Sequence, residues 1–201
     1  MSLNDDTATP GCSLQLFGAP TLMSSGHVVA LKRRQARAIL FFLGAQGGSS
    51  VPRDTLLGLL WPEKERAVAQ QTLRTLLHGL RRELNGHLIE EGQALRLSSD
   101  VAVDVRAFEA GLVAGPEALA AALQLYRGDF LSGFTLDGAP GFEEWILVER
   151  ERYRRLAVRG LTRLSAQQST AGRYAEALTS IDRALALDPL QEGVQRDALR
   201  L

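Results

Sequence analysis

The chain has 201 residues, 45% apolar and 23% charged, with 23 Lys and Arg balancing 23 Asp and Glu. Those proportions describe a globular protein of one or two domains, large enough to bury a core without disulfide staples. A single cysteine, Cys12, rules out an intrachain disulfide framework, and the acidic start MSLNDDTATPG lacks the apolar stretch of a signal peptide. The longest apolar run, Ala38 to Ala45, is too short to span a membrane, so the expected compartment is the cytoplasm, without membrane contact.

Residues 1–12 read as a disordered tail. SLQLFGAPTLMSSGHVVAL then alternates apolar and polar residues and is broken by Gly18-Ala19-Pro20 and Ser24-Ser25-Gly26, which predicts short antiparallel strands at about 13–18, 20–23 and 27–31. RRQARAILFFLGAQGG has helical spacing and stops on Gly47-Gly48. RDTLLGLLW opens a second helix after Pro52 and closes at Trp61-Pro62. A third helix spans about 64–85 and ends at Asn85-Gly86. HLIEEGQALRLSSDVAVDV then has strand-like arms flanking Glu91-Gly92 and reads as a hairpin. Beyond residue 100 the pattern is helical: Asp104 is placed to cap VRAFEAGLVAG, and Pro116 sits in the first turn of EALAAALQLYRG. A very long helix runs from about Gly141 to Ser169, its early part alternating acids and arginines as surface ion pairs require.

From Val158 to Gln191 the positions Leu161, Leu164, Gly172, Tyr174, Ala177, Ile181, Ala184 and Pro189 match a 34-residue tetratricopeptide (TPR) unit. Such helix pairs stack with neighbours, and the final EGVQRDALRL resembles the first helix of a further unit, so these residues are expected to be the front of a longer protein.

Charge is unevenly spread. Residues 31–85 hold ten Lys and Arg against four Asp and Glu, a balance of +6, whereas residues 86–201 hold thirteen against seventeen, a balance of −4. The third helix concentrates the asymmetry. Leu73, Leu76, Leu77, Leu80 and Leu84 form an apolar stripe, and the opposite arc collects Gln71, Arg74, Thr75, His78, Arg81 and Arg82. These side chains read base edges and grip phosphates. A solvated surface is the rival reading of that arc. The acids Glu90 and Glu91 at the hairpin tip oppose phosphate contact there.

Residues 13–100 resemble the winged-helix domain of OmpR-type response regulators, TLRTLLHGLRREL matching its recognition helix and GQALRLS its wing. The whole span 13–201 resembles the SARP family of bacterial transcriptional activators, through ALKRRQARAILFFL, VPRDTLLGLLWP, TLRTLLHGLRREL, ALQLYRGDFLSGF and FEEWILVERERYRRLAVRGL in order. The fold implied is an α+β winged helix-turn-helix followed by an all-α TPR-like domain (BTAD) over 101–201. The resemblance implies that Arg74, His78, Arg81 and Arg82 face DNA from helix 64–85 in the major groove. It places Arg96 of wing 87–98 at the minor groove and Arg53 on phosphate; Lys32, Arg33 and Arg34 are as compatible with a solvated helix start as with further phosphate contacts, and Trp61, ending the second helix, is as compatible with core packing.

The implied function is a sequence-specific duplex-DNA-binding regulator that activates transcription, with RNA polymerase, another protomer or a C-terminal sensory or NTPase domain as further partners. The alternatives are a protein-interaction scaffold, which the acidic hairpin tip favours, and the regulatory front end of a signalling NTPase. No phosphate-binding glycine loop occurs, and His27, His78, His87 and Cys12 have no metal-ligand spacing. Neither catalysis nor a cofactor nor a metal is expected.

Overall fold

A computed structural model describes residues 11–188. Three short strands, β1 (Cys12–Gln15), β2 (Thr21–Ser24) and β3 (His27–Val28), lead into α1 (Arg34–Ala45), β4 (Val51–Pro52), α2 (Arg53–Leu60) and α3 (Arg66–Leu84). The hairpin β5 (Leu88–Glu91) and β6 (Ala94–Leu97) follows, then β7 (Ala102–Val103) and four helices: α4 (Asp104–Val113), α5 (Pro116–Leu125), α6 (Pro140–Thr170) and α7 (Tyr174–Leu187). The result is a mixed front part with small sheets followed by a helical region.

The alternation in CSLQL sends Cys12, Leu14 and Leu16 inward. Cys12 therefore opens β1 and is 2% exposed, so the tail expected over 1–12 reaches one residue too far; residues 1–10 lie outside the described residues. The sheets have strand orders β3-β2-β1-β7 and β4-β6-β5. Two of those strands, β4 and β7, have only two residues each; β4 is not predicted by the sequence pattern, and β7 falls in the strand-like end of the expected hairpin segment but pairs with β1. The third strand, expected over 27–31, is limited to His27–Val28. β5 and β6 pair antiparallel with Glu91 opposite Ala94, leaving Gly92 and Gln93 as the turn, and Gly92 takes the positive φ of 61° that such a turn demands.

α1 buries Ala36 and an unbroken run from Ala38 to Gly44, since it lies between the first sheet, α3 and the helical region. α3 buries Ala69 and the leucine stripe Leu73, Leu76, Leu77, Leu80 and Leu84. It ends where Asn85 adopts a left-handed conformation with φ 42°. Trp61, at the end of α2, is 4% exposed and belongs to the core. In the helical region α6 and α7 form the antiparallel pair expected from the repeat-like spacing, with Leu161, Leu164, Ala177, Ile181 and Ala184 buried between them and their neighbours. Gly172 turns the chain with φ 74°, whereas Tyr174 stays on the surface at 56% exposure. Gln168 and Ser180 join α6 to α7 by a buried hydrogen bond of 2.8 Å donated by the Ser180 hydroxyl. Pro189 and the EGVQRDALRL segment lie outside the described residues.

The front part and the helical region share one apolar core. Asp104 is the first residue of α4, and extended Val103, not Asp104, occupies the N-cap. The Asp104 carboxylate accepts the Val105 amide at 2.8 Å and reaches back to β1's continuation, accepting the amides of Leu16 at 2.8 Å and Phe17 at 3.0 Å. β7 adds a parallel pairing to β1, Ser13 opposite Ala102 and Leu14 opposite Val103, across the boundary expected at residue 100. Phe17 then enters an aromatic cluster, 5.1 Å from Phe108, 5.0 Å from Tyr126 and 5.2 Å from Tyr153 between ring centroids. Burial pushes the Asp104 carboxyl above the ordinary carboxylate range, while the Phe17, Leu16 and Val105 amides and the Arg127 charge pull it down.

Asp104→Ala should therefore destabilise the protein by on the order of 3 kcal/mol, because hydrogen bonds to a charged acceptor are lost while their amides stay buried. Asp104→Asn recovers only part of that loss, since its amide presents donors to a donor. Urea unfolding measures both; a midpoint for Asp104→Ala equal to the wild type's would refute the assigned role.

Candidate nucleic-acid interface

The leucine stripe of α3 fixes which face remains for other work. Gln71, Arg74, Thr75, His78, Arg81 and Arg82 are all exposed, as the helical spacing predicts. Within the arc the Arg74 guanidinium donates to Gln71 Oε1 at 2.9 Å, and the Thr75 hydroxyl donates to the Gln71 carbonyl at 3.0 Å. Thr75 thus bonds back along its own helix. Gly79, midway along this face, is exposed, and a Cβ added there would meet nothing within 4 Å.

The start of α1 lies beside this arc. Lys32, Arg33 and Arg34 are exposed, with Arg33 at the N-cap of α1. A groove of about 600 Å³ runs between them and α3, lined by Arg33, Arg34, Gln71, Thr72, Thr75 and Asp137 among others. A second of about 460 Å³ continues past Lys32, Arg33, Thr75, His78, Gly79 and Glu83. Asp137 and Glu83 contribute acid at the far walls, but among the described residues neither pairs with Lys32, Arg33 or Arg34. Arg82 likewise makes no ion pair among the described residues.

The other three expected arginines form a separate group around the hairpin. Arg53, the first residue of α2, pairs with Glu90 Oε2 at 2.7 Å, and Arg81 of α3 pairs with the other Glu90 oxygen. Arg96, partly buried on β6 rather than at the tip, donates from Nε to Glu91 Oε1 at 2.7 Å. Glu91 also accepts the Ser50 hydroxyl at 2.5 Å. The Ser50 bond, then the Arg96 bond, hold the Glu91 carboxyl below the ordinary carboxylate range.

The ten expected residues therefore separate. Lys32, Arg33, Gln71, Arg74, Thr75 and His78 share a continuous basic and polar surface, with Arg82 further along α3. Arg53, Arg81 and Arg96 are gathered at the hairpin on carboxylates. Residue-by-residue reading misses Glu90, Glu91 and Ser50 as their partners. One signal points to Glu91: with a two-residue turn, Ile89 lies opposite Arg96, which makes Glu91 the diagonal neighbour of Arg96 on the same strand pair.

A family described as bacterial transcriptional activator domain matches residues 87–200, more than half of the chain. The chain belongs to that family. Among solved structures, Mycobacterium tuberculosis EmbR in complex with a low affinity phosphopeptide is similar with a TM-score of 0.75 and 21% sequence identity, over 95% of this chain and 54% of that one. At that identity the likeness is one of fold, and this chain spans about half the length of the EmbR chain. No curated protein matches. Among the described residues no helix is long and apolar enough to cross a membrane, and no group of His, Cys, Asp and Glu could hold a metal ion.

Because Gly79 is exposed and unobstructed within α3, Gly79→Ala should stabilise the protein by roughly 0.5–1 kcal/mol through helix propensity. A thermal unfolding midpoint below the wild type's would show that the backbone at this position is held by something other than open space.

Proposed function

We propose that the chain is a sequence-specific duplex-DNA-binding regulator that activates transcription and is not an enzyme. In this reading residues 13–100 are an OmpR-type winged-helix unit, α3 lies in the major groove and the β5–β6 hairpin stands over the adjoining minor groove. The helical region, α4 to α7, contacts protein, either RNA polymerase or another protomer. A regulatory sensory or NTPase domain beyond these helices belongs to the same proposal. The membership in the activator-domain family supports the regulatory part.

The observation that carries the DNA part is the exposed arc Gln71, Arg74, Thr75, His78 and Arg82, which contains no acid and stands beside Lys32, Arg33 and Arg34. Cations at the start of α1 sit at the positive end of its dipole, an arrangement unfavourable by roughly 0.3–1 kcal/mol each in the isolated protein. A polyanion at that surface offsets this by attracting both the cations and the helix N-terminus. The hydrogen bond from Arg74 to Gln71 holds two base-reading side chains together on one helical turn.

The second reading is a protein-interaction scaffold, favoured by the engagement of Arg53, Arg81 and Arg96 with Glu90 and Glu91. Selection from a random duplex pool, followed by titration of the winner across a salt series, separates the two. Repeated half-sites with a steep salt dependence support the DNA reading; equally weak binding to all sequences supports the scaffold.

On the selected duplex Arg74→Ala should cost roughly 1–3 kcal/mol and relax preference at one position. Lys32→Ala should weaken binding evenly across sequences and lower the salt slope by about one unit. Equal small effects from both would refute the division between base reading and phosphate contact.

A further inference from the structure

The two groups of basic residues differ in what their charge is free to do. Glu90 uses both carboxylate oxygens, one on Arg53 and one on Arg81. Its position is set by the strand ladder, because it pairs opposite fully buried Leu95 and follows Leu88, which is 8% exposed. Arg53 is fixed from the other side: its backbone amide donates to the Gln93 carbonyl in the hairpin turn at 2.8 Å. Arg81 approaches from α3, one turn before the helix ends at Leu84. With Glu91 on Arg96, three arginines meet two carboxylates, so this part of the surface carries a formal +1 rather than +3.

We propose that Glu90 is a specificity-determining positioning residue: it withholds Arg53 and Arg81 from DNA phosphates and leaves duplex contact to Lys32–Arg34 and the arc from Gln71 to His78. The proposal rests on the DNA-binding reading above. Phosphate contacts raise affinity for every sequence alike, whereas base contacts raise it only for the right one. Occupying two arginines with a carboxylate therefore lowers general affinity more than it lowers recognition, and the ratio between selected and random DNA rises. The hairpin acids, which in the sequence argue against DNA binding, become part of how the surface discriminates.

Glu90→Gln in the whole chain tests this by fluorescence anisotropy on the selected duplex and on a random duplex of equal length. The expected result is a gain on the order of tenfold for the random duplex at about 0.1 M salt, a smaller gain for the selected one, and a salt slope steeper by about one to two units. Glu144→Gln makes the same charge change on an exposed residue of α6 without releasing an arginine. An unchanged random-duplex affinity, equal gains on both duplexes, a loss on both, or a matching gain from Glu144→Gln overturns the proposal.

The unmutated chain provides an independent test if the variant loses cooperative unfolding. Arginine Nε–H NMR signals of Arg33 and Arg74 should move on adding random duplex while those of Arg53 and Arg81 stay; joint movement of all four overturns the proposal. A wild-type chain that enriches no sequence defeats the DNA-recognition reading alone. The role of Glu90 then stands or falls on whether Glu90→Gln gains affinity for random duplex.

Discussion

The buried carboxylate of Asp104 ties the first sheet to the helical region. It accepts two amides from the segment that continues β1 and one from the first turn of α4, so the start of the helical region is fastened to the first sheet at a single buried point. That fixes β7 beside β1 and delivers Phe17 into the rings of Phe108, Tyr126 and Tyr153. The backbone then locks a second time, with the Gly18 amide on the Asp129 carbonyl at 3.0 Å and the Leu131 amide on the Leu16 carbonyl at 2.8 Å. Arg106 of α4 adds a bond from Nε to the Gly44 carbonyl at the end of α1, 3.1 Å away, where the helix dipole favours a cation. α3 packs on α1, which is held to the helices by these contacts and by Phe42 against Trp145 at 4.8 Å. The helical region and the front part that carries α3 are thus joined by packed side chains and hydrogen bonds.

Much of this is legible in the sequence because the amphipathic period is long in the helices. The leucine stripe between Leu73 and Leu84 predicts both the existence of α3 and its exposed arc, since an apolar stripe of that width leaves one face for solvent. Proline at the start of α5 and the glycine turn before α7 are equally local signals. The two-residue strand β4 and the pairing of β7 with β1 are not legible, because two residues carry no period and owe their pairing to partners elsewhere in the chain. Asp104 reads locally as a helix-start residue, and that reading covers only its bond to Val105. The two bonds to Leu16 and Phe17 depend on where α4 lands. Cys12 reads as part of a polar tail because polar residues precede it, and the pairing with Ser24 that extends β1 to it is not local.

The candidate interface divides along the same line. Exposure of Gln71, Arg74, Thr75 and His78 follows from helical geometry alone. The fate of Arg53, Arg81 and Arg96 follows from hairpin register and from the direction in which α2 leaves the hairpin turn, neither of which a charge count contains. The helical region makes the same point with opposite outcome. Its arginines are numerous, yet Arg150 spends its guanidinium on the Phe130 and Leu131 carbonyls at 2.7 Å each, and Arg183 on the Leu123 carbonyl at 2.9 Å. Arg152, Arg154 and Arg155 pair with acids of their own helix. A basic residue contributes its full charge to a polyanion-facing surface only when neither a carboxylate nor the backbone of another element claims it.

That criterion turns formal charge into a usable quantity. Residues 31–85 have a surplus of +6, but two of their arginines, Arg53 and Arg81, meet a carboxylate that lies outside the segment, at position 90. Arg66 is held by Asp54 inside it, with both carboxylate oxygens within 2.9 Å. Of the segment's cations that form no ion pair among the described residues, Lys32 and Arg33 stand just before α1, Arg34 opens it, and Arg74 lies on α3. The strands β5 and β6 begin only a few residues after α3 ends, with the His87 amide bonded to the Leu84 carbonyl at 2.9 Å, so the acid at 90 has a fixed reach to the arginine nine positions earlier. Changing the hairpin sequence can therefore alter the effective charge of the helix face while leaving every residue of the helix in place.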